Sequence, residues 1–206
     1  MGDPTVFIVD DDDAIRDSLK LLLEAGGISR VVAYERARDF LDRGGPAAGD
    51  CLVVDVRMPD MDGLELQQAL VDRAVDMPVI VMTGHGDIPM AVRALKAGAN
   101  DFIEKPFSDE IMLDAVHRAL ARATRDRRQS EEVADIRACH ETLTDREREV
   151  FQAMTAGHPN KVIAHLLGIS PRTVEIHRAR VMEKMRAKSL SGLVRMAIEA
   201  GLGKSV

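Results

Sequence analysis

The stretch Cys51-Leu52-Val53-Val54-Asp55-Val56-Arg57-Met58-Pro59-Asp60-Met61-Asp62-Gly63 decides the fold. Its first four residues are apolar without interruption and run straight into an acid. Two other segments share that form: Val6–Val9, followed by Asp10 to Asp13, and Val79–Met82, followed by Thr83. Uninterrupted apolar strands are expected where both faces of a sheet are covered. Arg30–Ala33 and Asp101–Glu104 supply two further strands, the latter followed by Lys105. Amphipathic stretches alternate with the strands: Ala14–Ala25, Ala37–Arg43, Leu64–Arg73, Pro89–Ala97 and a fifth beginning at Asp109. This β/α alternation predicts an α/β fold, a doubly wound sheet of five parallel strands with helices on both faces.

The polar residues at the strand ends then carry the chemistry. In a parallel sheet those ends meet at one edge, where open α/β sheets bind ligands. Acids (Asp10, Asp11, Asp55), a hydroxyl (Thr83) and an ammonium (Lys105) converge there. Clustered carboxylates attract a hard divalent cation, and Mg²⁺ favours a few carboxylates together with a phosphate oxygen. A carboxylate beside such an ion can attack a phosphoryl group. Lysine and threonine then hold the phosphoryl oxygens. Asp12 and Asp13 are assigned to the start of the first helix instead, where acids favour the dipole.

On these residues, and on the motif from Val54 to Gly63, the first 121 residues resemble a response-regulator receiver domain, a flavodoxin-like fold. The resemblance implies Asp55 as phosphoacceptor. It implies Asp10, Asp11, Asp55 and the Arg57 carbonyl around Mg²⁺. It makes Thr83 the switch hydroxyl, Lys105 the phosphate-binding lysine and Phe102 the switch aromatic, with a cis Lys105-Pro106 bond. Phosphorylation by a partner histidine kinase would repack the fourth helix, fifth strand and fifth helix and drive dimerisation. Val92, Leu95 and Lys96 are the candidates for that face, with Ile111 and His117 behind them. Val92 and Leu95 are equally well read as core.

After Leu143 every pattern is helical. Thr144 and Glu147 form a capping-box signature. Helices fit Asp145–Ala156, Asn160–Leu167, Pro171–Met185 and Ser189–Glu199, with Gly157 and Gly201 at left-handed C-cap positions. Gly168-Ile169-Ser170 between the second and third gives a helix-turn-helix. In the third, Val174, Val181 and Met185 make a core stripe, opposite Arg172, Glu175, Ile176, Ala179, Arg180 and Glu183. Residues 141–206 resemble the LuxR/NarL-type four-helix DNA-binding domain through Leu143-Thr144, Arg146-Glu147, Asn160-Lys161, Ile163-Ala164 and Ser170-Pro171-Arg172-Thr173-Val174. His177 and Lys184 also match. The resemblance implies phosphate contacts from Lys161, Thr173, Arg178 and Lys188, with Arg172 beside them. Base-reading positions fall on Glu175, Ile176 and Ala179. Many relatives have lysine where Glu175 stands, so the base preference is open. Leu190, Leu193, Val194 and Ala197 would pair two domains on DNA or pack within one.

The charge distribution agrees. The chain has a net charge of −6, yet residues 141–206 carry 11 Lys and Arg against 7 Asp and Glu. An acidic front and a basic back fit two domains with different partners. Residues 122–140, highly charged and without Gly or Pro, are expected to extend the fifth helix as a linker; a flexible linker is nearly as compatible. Cys51 and Cys139 lack metal-ligand spacing and read as reduced thiols. The N-terminus, Met1-Gly2-Asp3-Pro4, does not read as a signal peptide and no run suits a membrane span, which points to the cytoplasm.

Over nearly its whole length, including Met82-Thr83-Gly84-His85-Gly86, the chain resembles FixJ-type regulators of the NarL/FixJ family. The function implied is a two-component transcription regulator, not an enzyme, working on promoter DNA with RNA polymerase as a further partner. Two competing readings remain. A haloacid-dehalogenase-type phosphatase needs Asp-x-Asp-x-Thr, but Asp11 and Asp13 are followed by Ile15, and no cap domain is present. A protein relay without a DNA role does not account for the basic helix.

Overall fold

The computed structural model describes residues 4–43, 50–84 and 88–203. His85 and Gly86 of the expected motif, and Met1 to Asp3, lie outside the described residues. The chain divides into two compact units, Met1–Arg127 and Arg128–Val206.

The first unit is a five-stranded parallel sheet with order β2-β1-β3-β4-β5. The strands are β1 (Thr5–Val9), β2 (Arg30–Tyr34), β3 (Cys51–Asp55), β4 (Val79–Thr83) and β5 (Asp101–Glu104). Every residue of β1, β3 and β4 is buried. Because successive side chains point to opposite faces, each apolar run feeds two cores. Phe7, Val9, Leu52, Val54, Val79 and Val81 pack with Phe40, Leu66, Leu70 and Ala94. These come from α2 (Ala37–Arg43), α3 (Gly63–Asp72) and α4 (Ile88–Lys96). Val6, Ile8, Cys51, Val53, Ile80 and Met82 pack with Leu19, Leu23, Met112 and Val116. These belong to α1 (Asp13–Ala25) and α5 (Asp109–Glu141).

Four strands are longer by one residue than their apolar runs suggest. Asp55 pairs with Met82 and Thr83 with Glu104 through the backbone, and hydrophobicity is blind to such pairing. Two helices begin on aspartate caps. The Asp12 carboxylate accepts from the Ala14 and Ile15 amides. Asp62 and Glu65 form a capping box on α3. Residues 122–140 all lie within α5.

The second unit adds α6 (Asp145–Thr155), α7 (Asn160–Leu167), α8 (Pro171–Lys184) and α9 (Leu190–Glu199). Its core gathers Val150, Phe151, Met154, Ile163, Val174, Val181, Met185, Leu193 and Ala197. Gly157 and Gly201 adopt φ of 81° and 66°, the left-handed region that suits glycine.

Candidate functional site

Four of the expected receiver residues come from four different strand ends, and three are joined directly. Asp10 follows β1 and Asp55 ends β3, the pair flanking the point where strand order reverses. Lys105, just after β5, donates from Nζ to Asp10 Oδ2 at 2.8 Å and to Asp55 Oδ1 at 2.6 Å. The second Asp55 oxygen, Oδ2, accepts from the Arg57 amide at 2.6 Å. The other Asp10 oxygen accepts from the Asp12 amide at 2.9 Å. Thr83 is buried at the end of β4, and its carbonyl accepts from the Lys105 amide at 2.8 Å. Among the described residues its hydroxyl reaches only the Gly84 carbonyl, at a long 3.4 Å, so no strong bond to them fixes the rotamer. The Lys105-Pro106 bond is cis.

Two carboxylates, both largely buried, thus share one ammonium. The Asp55 carboxyl is pushed above its ordinary range chiefly by burial. Lys105 opposes this through its bond and charge, and the Asp10 charge adds to it. Burial alone would lower the Lys105 ammonium, but its bonds to Asp10 and Asp55 and their charges outweigh that and raise it. If both acids are ionised, the trio is one positive charge short. The atoms it offers a ligand are carboxylate oxygens, which suits a hard divalent cation. Asp11 stands apart: it is exposed and makes no hydrogen bond among the described residues. Among those residues no three metal-ligating side chains are clustered. Phe102 is 41% exposed, as are Val92 and Leu95 at 45% each. The core reading of Val92 and Leu95 therefore gives way to a surface one.

Two features of this site were not anticipated from the sequence. Arg16 on α1 donates to the Asp10 backbone carbonyl at 2.7 Å and pairs with Asp13, bracing the acidic turn. Gly63 opens α3 against β3, where a Cβ would stand 2.4 Å from the Asp55 carbonyl oxygen. The signal was there, since Gly63 closes the acidic motif, but its reason is close approach.

In the second unit, Gly168 takes φ 64° between α7 and α8. The Ser170 hydroxyl accepts from the Thr173 amide, and Pro171 stands in the first turn of α8. Val174 and Val181 face the core. Lys161, Arg172, Glu175, Ile176, Ala179 and Lys188 are exposed, and Thr173 and Arg178 are partly so. The Thr173 hydroxyl lies 2.8 Å from the Ser170 hydroxyl, which ties it into the cap. Lys184 belongs to the scaffold. Its Nζ donates to Glu147 Oε2 at 2.6 Å and to the Thr142 carbonyl at 3.0 Å. Glu147 in turn caps α6 by accepting from the Thr144 amide.

The Lys184 bond first, then the Thr144 amide, hold the Glu147 carboxyl down at about 2, against 4.5 ordinarily. A carboxylate lowered on folding stabilises fully above its unfolded value and loses that contribution as pH falls through the folded one. Melting of this unit should therefore drop between about pH 4.5 and pH 2. Glu147→Gln should flatten that acid limb; an unaltered limb would refute the assignment.

Comparison with known proteins follows the same division. The response regulator receiver domain family matches residues 6–117. The bacterial regulatory proteins of the luxR family match residues 141–197. The transcriptional regulatory protein FixJ of Rhizobium meliloti (strain 1021) is 50% identical over 205 residues, covering 100% of both chains. FixJ of Azorhizobium caulinodans is 50% identical over 197 residues, 96% of this chain and 93% of that one. Among solved structures, the response regulator StyR aligns with a TM-score of 0.86 at 40% identity, over 96% of this chain and 100% of that one. Full-length FixJ from B. japonicum aligns at 0.60 with 42% identity, over 99% and 100%. A receiver domain implies a histidine kinase as partner and typically uses Mg²⁺ for phosphorylation. The luxR-family domain implies DNA binding. Among the described residues no helix is long and apolar enough to cross a membrane. The chain therefore belongs to the FixJ-type two-component response regulators, transcription factors that join a receiver to a LuxR-family helix-turn-helix domain.

Proposed function

We propose that Asp55 takes the phosphoryl group from the kinase, that the receiver (residues 1–121) then dimerises, and that residues 141–206 bind promoter DNA as a pair. Residues 122–140, within α5, are the linker between them. The observation that carries this reading is the Lys105 ammonium bonded to both Asp10 and Asp55 at the edge of the sheet. An Asp55 oxygen forms the new bond to phosphorus, and the bond from phosphorus to the donor breaks. The Arg57 amide and Lys105 orient the attacking carboxylate. Asp10, Asp11, Asp55 and the Arg57 carbonyl would hold Mg²⁺, which would supply the missing positive charge. The acyl phosphate adds roughly 1.5 to 2 negative charges. Thr83 turns its weakly held hydroxyl toward the phosphoryl oxygens, and Phe102 moves inward from its exposed position. The α4–β5–α5 face, with Val92, Leu95 and Lys96, then meets a second copy.

Incubation with a small acyl phosphate should label the protein only when Mg²⁺ is present and should shift its sedimentation from monomer to dimer. Labelling without a change in sedimentation would contradict the coupling. The DNA half has its own test. Lys161, Thr173, Arg178 and Lys188 are read as phosphate contacts, with Arg172 beside them and Glu175, Ile176 and Ala179 at the bases. Joint replacement of Lys161 and Arg178 by alanine should weaken duplex binding for all sequences. It should also lower the salt slope by about two. Undiminished binding would place the interface elsewhere. RNA polymerase is the further partner of a promoter-bound dimer, and the cytoplasm is its setting.

A further inference from the structure

We propose that Glu175 selects a cytosine in the DNA half-site and that Ile176 contacts the methyl of a neighbouring thymine. The inference rests on the reading of α8 as the helix that enters the major groove.

Val174 and Val181 fix which side of α8 is buried. The opposite arc of its first turns presents Arg172, Glu175, Ile176 and Ala179, all exposed. Residues near the start of such a helix are the ones that reach base edges. Ala179 lies midway across the arc and is small, so the helix can approach closely there. Glu175 and Ile176 stand on either side of it.

Glu175 is the unusual member, an acid on a face meant for a polyanion. Its nearest helical neighbours of opposite charge are Arg172 and Arg178. Among the described residues it forms an ion pair with neither, and Arg172, Arg178, Lys161 and Lys188 are likewise without acidic partners. The cations are available for phosphates and the carboxylate for a base. An ionised carboxylate only accepts hydrogen bonds. The major groove offers two donors, the N4 amino group of cytosine and the N6 amino group of adenine. Adenine sets its N7 acceptor beside N6, which repels a second carboxylate oxygen; cytosine does not. Guanine shows two acceptors, O6 and N7, and is rejected outright. Ile176, 49% exposed, has no polar group and matches only the thymine C5 methyl.

The test is selection from duplexes with a randomised half-site at one fixed salt concentration, using the full chain and its Glu175→Lys, Glu175→Gln and Ile176→Ser variants. The wild type should favour cytosine at one position by about tenfold. Glu175→Lys should turn that position to guanine, and Glu175→Gln to adenine. Ile176→Ser should keep the cytosine and lose the thymine preference beside it. Unchanged melting would show that the variants fold. If all four proteins bind duplex with equal salt dependence and select the same sites, the base assignment is wrong while the DNA reading stands. If the wild type binds no duplex even at low salt, the DNA reading fails and takes this one with it.

Discussion

Asp55→Asn abolishes labelling by a small acyl phosphate in the presence of Mg²⁺. Asparagine keeps the shape of the side chain and an acceptor for Lys105, so what it removes is the nucleophilic charge. Asp10 cannot substitute, because its side chain is 1% exposed against 10% for Asp55, which leaves an incoming phosphorus no approach. Labelling that persists would identify another acid as the acceptor. The variant also makes a thermodynamic prediction. The Asp55 carboxyl is raised on folding, mainly by burial. Such a group costs stability where it is ionised, and the protein gains stability as pH falls through the raised value. Asp55→Asn should therefore melt no lower than the wild type at neutral pH. A clear loss of melting temperature would mean that the ionised Asp55–Lys105 pair stabilises the fold.

Gly63→Ala has the second large effect, and it acts through the backbone. The added Cβ would meet the Asp55 carbonyl oxygen at 2.4 Å and its carbon at 3.1 Å. Both are held in place, since Asp55 is paired with β4 and the residue before it, Val54, with both β1 and β4. The first turn of α3 must lift instead, and with it the bond from the Gly63 amide to the Val56 carbonyl at 3.0 Å. Overpacking of this kind costs about 3 kcal/mol, or on the order of 10 °C in the melting of the receiver. Phosphoryl labelling should slow as well, because the Arg57 amide that orients Asp55 lies in the same loop. A wild-type melting curve would show that the loop yields easily.

The sheet was legible because burial on both faces writes itself as unbroken apolar runs, and Val6–Val9, Cys51–Val54 and Val79–Met82 are such runs. The convergence of Asp10, Asp55, Thr83 and Lys105 was legible for the same reason, since parallel strands leave all their ends on one edge. The partners were not. That one ammonium bonds Asp10 and Asp55 together depends on side-chain reach, and the exposure of Asp11 depends on which way the turn after β1 faces. Lys184 is a clear case of such a hidden partner. Composition makes it another cation on a basic helix, whereas it is bonded to a buried acid 37 residues earlier. No local pattern carries a bond across that separation. The contact of the Thr173 hydroxyl with the Ser170 hydroxyl is another partner that composition does not show.

The Lys105 ammonium lies 95 residues from one of its acids and 50 from the other. A ribosome delivers both carboxylates long before it delivers their counterion. Until β5 joins the edge of β4, Asp10 and Asp55 have no cation from the sheet between them, and their mutual repulsion opposes closure of the central strands. Assembly of the receiver is thus cooperative with its own charge balance. The site thus takes its counterion from the last strand of the sheet to be made.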